Sequence, residues 1–282
     1  MKNEECKMKR VVFDCFPGGR RKALHMSFDD GRIHDRRLVD LFNEHGIKGA
    51  FFLNSGYLDT DGYLCSDEVA KLFRGHEVGV HGVTHPCLPH LPNERIIEEI
   101  LEDRRALERL VGYVVRGLSY PGCDFDDRVV AMLPMLGIAY ARTCEKKNDF
   151  LLPDDVYRWP MSCHQSRALE TAERFLRVPP QWGLQLFYVM GHSFEFDSGW
   201  EDIEAFCKLM GSREDIWYAT NIEIADYMLV MRSILVSADG DILTNPTAQP
   251  VWCSLWDSGK PVETVVIEAG QTVRLSGVEM DG

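Results

Sequence analysis

From Ala23 onward, short apolar runs alternate with longer segments of helical period, which restricts the chain to repeated strand and helix units. Residues 23–28, 49–53, 77–80, a run ending at Tyr120, and residues 138–141, 156–161, 184–190 and 216–219 read as strands. Between them lie helical stripes: Leu38, Val39, Leu41 and Phe42 in the first, and Ile96, Ile97, Ile100, Leu101, Leu107 and Leu110 in the longest. Pro134 falls inside a helix expected to present Val129, Val130, Leu133 and Leu136, where it removes a backbone donor. Seven or eight such units make either a βα barrel or an open doubly wound sheet. No glycine fingerprint for a dinucleotide and no phosphate loop follows any of the strands.

The last fifty residues change character. Residues 234–236, 251–255, 262–267 and 272–275 are short β-like runs separated by Asp-Gly, Asn-Pro, Ser-Gly and Ala-Gly. So small a segment supplies little core of its own. Residues 1–232 are therefore expected to form the main α/β body, with residues 233–282 a small antiparallel β appendage packed on it.

Composition narrows the partners. With 31 Lys and Arg against 44 Asp and Glu, the formal charge of −13 argues against a general nucleic-acid binder. Nine cysteines without a Cys-x-x-Cys pair give neither a small disulfide framework nor a clustered thiolate zinc site. A reducing compartment is the simpler expectation. The opening residues mix acids and bases and fit neither a secretory signal nor a membrane span. A cytoplasmic location is expected on these grounds, and an extracellular one if a signal segment is missing. The oligomeric state is left open.

If the strands are parallel, the loops leaving their C-terminal ends share one face. Asp29 and Asp30 follow the first of these strands, His81 and His85 the third, Tyr120 the fourth and His192 the seventh. Each feature alone has an ordinary explanation. Asp-Asp also occurs at Asp126 and Asp154, where a helix cap or turn suffices, and Gly82 and Pro86 deny the His pair a long regular helix. A loop can still point two imidazoles at one ion. Two imidazoles and a carboxylate suit zinc or another divalent first-row ion, which would acidify a water while a second carboxylate accepts its proton. Asp29 and Asp30 could divide those duties, and His192 could protonate the leaving group.

Taken in order, Ser27-Phe28-Asp29-Asp30-Gly31, His81-Gly82-Val83-Thr84-His85, Arg116 through Tyr120-Pro121, and Gly191-His192 resemble the polysaccharide deacetylase family. The family is also known as the NodB-homology family or carbohydrate esterase family 4. The resemblance spans about residues 23–220. It implies a distorted (β/α)7 barrel and metal-dependent removal of acetyl groups from N-acetylated or O-acetylated saccharides. It assigns Asp29 as catalytic base, His192 as general acid, and Asp30, His81 and His85 as ligands of one divalent ion, zinc first and cobalt, nickel, manganese or iron as alternatives. The partner implied is an acetylated saccharide.

The third motif departs from the family's Arg-x-Pro-Tyr, since this chain reads Arg116-Gly-Leu-Ser-Tyr120-Pro121. Arg116 is the expected orienting partner of Asp29, and the backbone amide of Tyr120 the expected oxyanion donor; Pro121 has no donor to offer. For the family's fourth motif, a Trp and an Asp, Trp159 with Asp154 or Asp155 is the nearest candidate and a pocket wall, with the core as its other reading. Glu195 is near His192 in sequence. Two other readings stand beside deacetylation: hydrolysis of another small amide, ester or phosphate, and a noncatalytic glycan-binding or structural role.

Overall fold

The run Lys22–Asp29 is buried at every position, the pattern of a parallel strand covered on both faces. The computed structural model describes residues 9–179 and 183–275. In chain order these form β1 (Lys9–Val12), β2 (Lys22–Asp29), α1 (Asp35–His45), β3 (Gly49–Leu53), α2 (Val69–Leu72), β4 (Glu77–Val80), α3 (Asn93–Val111), β5 (Gly117–Ser119) and α4 (Asp127–Met132). There follow β6 (Tyr140–Lys146), β7 (Trp159–Met161), β8 (Cys163–His164), α5 (Ala168–Leu176), β9 (Gln185–His192), α6 (Glu201–Met210), β10 (Ile216–Tyr218) and α7 (Asn221–Arg232). The chain ends in β11 (Leu235–Val236), β12 (Ile242–Thr244), β13 (Val251–Asp257), β14 (Lys260–Ile267) and β15 (Thr272–Arg274). Residues 1–8 and 276–282, the ends of the two expected regions, lie outside the described residues.

The strands from β2 to β9 run parallel in the order β7-β6-β5-β4-β3-β2-β9-β8, with β10 beside the start of β2. Because β7 pairs with β6 and β8 pairs with β9, residues 159–164 bridge the two edges of this sheet. Ser162, between them, donates its amide to the Tyr188 carbonyl at 2.8 Å. The result is a nearly closed barrel with helices outside it, the distorted (β/α)7 form. α4 stops at Met132, two residues before Pro134, so the proline ends this helix instead of kinking it.

Period-two alternation sorts the side chains. Leu24, Met26 and Phe28 of β2 join the apolar layer under the helices, as do Phe51 and Leu53 of β3 and Phe187 and Val189 of β9. The opposite set, Ala23, Ala50, Phe52, Tyr140, Leu186 and Tyr188, packs inside the barrel. This interior is crowded at the level of Phe52. A Cβ on Gly79 would stand 2.5 Å from the Phe52 ring, so glycine there is a consequence of that packing. Towards the C-terminal ends the inner positions become polar: Ser27 and Asp29 on β2, Ser119 on β5 and Arg142 on β6 are all buried.

The terminal strands form two further antiparallel sheets, β1-β13-β14 and β11-β12-β15. The pairing of β1 with β13 joins the two ends of the chain, a contact between residues too distant in sequence for local pattern to reveal. The Tyr227 hydroxyl of α7 donates to the Cys15 carbonyl at 2.9 Å and accepts from the Trp252 amide of β13 at 3.1 Å, tying these strands to the barrel. Among the described residues, no helix is long and apolar enough to cross a membrane. Among the described residues the scattered cysteines include one disulfide, Cys123 to Cys144; the turn after β5 folds beside β6 and brings together residues 21 apart in sequence.

Candidate active site

Five of the residues singled out in the sequence emerge at the C-terminal end of the barrel. Asp29 ends β2 opposite His192, which ends β9 in the paired register. Asp30 follows at φ 81°, and its amide bonds to the Phe52 carbonyl of β3 at 2.9 Å. His81 follows β4, and His85, at φ 53°, closes the same loop. Left-handed backbone at Asp and His is sterically costly and persists where surrounding contacts enforce it.

Those contacts come from α3. Glu99 accepts from the Thr84 amide and hydroxyl, both at 2.9 Å, and Asp103 accepts from the Ser55 amide at 2.7 Å and the His81 amide at 2.9 Å. Asn54 adds bonds from its carboxamide to the His81 and Gly82 carbonyls at 2.6 and 2.9 Å. Burial pushes the Asp103 carboxyl up to about 6, against the pull of the amides that it accepts from. Two acids one turn apart thus hold the loop from below. Their sequence signal is their position, since Glu99 and Asp103 interrupt the buried stripe of Ile96, Ile100 and Leu107.

The donor atoms converge. Asp30 Oδ1 lies 3.5 Å from His81 Nε2 and 3.8 Å from His85 Nε2, and one ligand atom from each of the three residues lies within 4.8 Å of the others. His81 Nδ1 is 2.8 Å from the Ser119 carbonyl oxygen. A carbonyl can only accept, so Nδ1 carries a proton and Nε2 is the nitrogen that faces Asp30. This is the outer bond that orients a metal-binding imidazole. Two imidazole nitrogens and a carboxylate oxygen are a donor set that fits a divalent first-row ion.

Asp29 sits deeper, 3% exposed. Its Oδ2 accepts from Arg142 Nη2 and, at 3.2 Å, from Ser119 Oγ, while its Oδ1 has no hydrogen-bond partner in the protein. Burial penalises the charge, but Arg142, His81 and His192 outweigh it and hold the carboxyl down at about 2. His192 is positioned from its other side by Glu195, whose Oε1 lies 2.9 Å from Nδ1.

Three expected roles are corrected. Arg116 does not meet Asp29: it precedes β5 at the N-terminal end of the barrel and forms a fork with Asp226 of α7 at 3.0 and 2.6 Å. Its expected place is taken by Arg142, an inward residue of β6 one position beyond the apolar run that marked this strand in the sequence. The Tyr120 amide is not free for an oxyanion, because it donates to the Arg142 carbonyl at 3.2 Å in continuation of the β5 and β6 pairing. Trp159 is 1% exposed and packs edge-on against Tyr140 and Tyr188 inside the barrel, so it is core and not pocket wall. Asp155, offered as its partner, caps the turn before β7 and pairs with Arg158.

A sequence model described as polysaccharide deacetylase matches residues 17–141. A chitin deacetylase of Cryptococcus neoformans is 30% identical over 114 residues, covering 40% of this chain and 24% of that protein. A chitooligosaccharide deacetylase of Rhizobium leguminosarum is 31% identical over 93 residues, covering 32% of this chain and 40% of that protein. The chain thus spans between a quarter and two fifths of the length of the curated relatives it matches first. A crystal structure from Mycobacterium smegmatis, assigned to the polysaccharide deacetylases, shares the fold at TM-score 0.58 and 16% identity, covering 79% of this chain and 94% of its own. Through residues 17–141 the chain is similar to the polysaccharide deacetylases, the family that its motifs resemble.

Proposed function

We propose that this chain is a metal-dependent hydrolase that removes acetyl groups from N-acetylated or O-acetylated saccharides. The observation that carries the reading is the division of labour between adjacent carboxylates. Asp30 turns towards two imidazoles, while Asp29 is held by Arg142 and Ser119 and keeps one buried oxygen unpartnered. Asp30, His81 and His85 would hold the ion. When bound, the ion polarises an acyl carbonyl and makes a water acidic.

The chain's own residues supply the proton transfers. Asp29 Oδ1 accepts the proton of the attacking water while Arg142 keeps Oδ2 fixed, so the base need not reorient during the step. The water oxygen bonds to the acetyl carbon, the bond from that carbon to the sugar nitrogen or oxygen breaks, and His192 Nε2 delivers a proton to the departing atom. With Nδ1 facing Glu195, the other ring nitrogen is the one free to do so.

Acetate release from defined chitooligosaccharides and O-acetylated xylooligosaccharides by the zinc-loaded protein tests this. Wild type should release acetate, and Asp29→Asn should retain the ion but lose at least about a hundredfold in turnover. Hydrolysis confined to small amides or phosphate esters in the same panel would overturn the saccharide assignment, and full activity of Asp29→Asn would overturn the role of the base.

A further inference from the structure

We infer that His164 is a positioning residue of this site, acting through Glu195 on His192. The inference rests on the proposed deacetylation, in which His192 protonates the leaving group. β8 is only two residues long, but its parallel pairing with β9 sets His164 opposite Met190 and brings its imidazole out at the same end of the barrel as His192. The two rings share one carboxylate. Glu195 Oε1 is 2.9 Å from His192 Nδ1, and Oε2 is 3.2 Å from His164 Nε2.

The tautomer of His164 follows from its other nitrogen. The Ser166 amide donates to His164 Nδ1 at 3.3 Å, so Nδ1 carries no proton in the neutral ring. The Ser166 hydroxyl lies 3.0 Å from the same nitrogen and can donate as well. The proton is therefore on Nε2, the nitrogen that stands 3.2 Å from Glu195 Oε2. Burial, with His192 and Lys146 nearby, outweighs the attraction of Glu195 and favours the neutral ring.

Gln165 completes the clamp. Its Nε2 donates to Glu195 Oε2 at 2.8 Å and to the His192 carbonyl at 3.0 Å. The carboxamide crosses β9 over Gly191, where any Cβ would overlap it. Glu195 is thus gripped by the Gln165 carboxamide with the His164 ring against the same oxygen, and its remaining oxygen orients His192. Without that grip, a glutamate on a short turn, its side chain 34% exposed, would sample rotamers that leave Nδ1 of His192 unbonded and its tautomer unfixed.

The same three residues have metal-ligand identities, with donor atoms within 4.8 Å of one another. The His164 tautomer argues against a second ion, because a protonated Nε2 has no lone pair to give. The cluster reads as two imidazoles sharing one carboxylate, which Gln165 anchors.

The test compares two acetyl compounds with the zinc-loaded full chain and its His164→Ala and His164→Gln variants. The amine of an N-acetylated chitooligosaccharide needs a proton to leave, and the phenolate of 4-nitrophenyl acetate does not. His164→Ala should lower kcat on the oligosaccharide about 10- to 100-fold with KM little changed, a part of what a general acid contributes, yet stay within about twofold on the aryl ester. His164→Gln, whose carboxamide can donate to Glu195, should recover most of the loss. Equal losses on both compounds, no loss on either, or a zinc stoichiometry that drops from two to one in His164→Ala would overturn the inference. If wild type releases no acetate from any saccharide, the proposed function fails first. The inference then stands or falls on nitrogen NMR of the imidazoles, which should show His192 Nδ1 protonated and hydrogen-bonded in wild type and that signature weakened in His164→Ala; an unchanged His192 would overturn it.

Discussion

Replacing Arg142 with methionine keeps the bulk of the side chain and removes the guanidinium that holds Asp29 and Ser119. Both members of the ion pair are out of water, Arg142 at 0% and Asp29 at 3% exposure. Removing one partner leaves the other charge buried, which costs about 3–5 kcal/mol, a large share of the roughly 5–15 kcal/mol that stabilises a typical domain. Asp29→Asn leaves the converse problem, a buried cation facing a neutral amide. With both substitutions present neither charge remains, and the doubly substituted protein should lose about 2–3 kcal/mol less than the sum of the single changes. Urea unfolding of the four proteins at neutral pH in chelator, followed by circular dichroism, measures this without interference from a bound ion. Additivity within about 0.5 kcal/mol would refute the pairing as the reason that Asp29 is tolerated in the barrel interior.

Asp103→Asn preserves shape but sets a carboxamide NH2 against one of the two amides that Asp103 now accepts from; it should cost about 1–3 kcal/mol in stability and about 10- to 100-fold in zinc affinity, read by chelator competition. Unchanged affinity would dissociate α3 from the His81 loop. Glu77, buried inside the barrel between the Tyr140 hydroxyl and the Ile222 amide, is pushed by burial from 4.5 up to about 7. The folded state therefore keeps a proton that the unfolded chain releases between those values, so this group's contribution to stability is full below pH 4.5 and is lost as pH rises through about 7, by up to about 3 kcal/mol. Glu77→Gln should flatten that part of the unfolding free energy between pH 4.5 and 8; the same slope in both proteins would contradict the assignment.

The parallel strands are legible in the sequence because strands covered on both faces must be largely apolar, and the central stretches of β2, β3, β4 and β9 are. The convergence of Asp29, Asp30, His81, His85 and His192 follows from that, since residues just past the ends of parallel strands share a face whatever their separation in sequence. The partner of Asp29 did not follow, because a motif fixes residue order and not the end of the strand at which a side chain emerges. Arg116 precedes and Ser119 ends a strand three residues long, roughly 10 Å, and only the far end reaches the pocket. Arg142 was hidden by its place after an apolar run, where a charge ordinarily marks the end of a strand. Glu99 and Asp103 were readable as acids on the buried side of a helix, whereas the pairing of β1 with β13 depends on the whole barrel closing between them.

The most direct measurement is zinc titration of the chelator-stripped protein beside its Asp29→Asn and His81→Ala variants. Wild type and Asp29→Asn should each bind one ion with affinities within about tenfold, and His81→Ala should lose at least about a hundredfold. If Asp29→Asn loses the ion as completely as His81→Ala, Asp29 is a ligand and not a free base, and the division of labour between the two carboxylates is wrong.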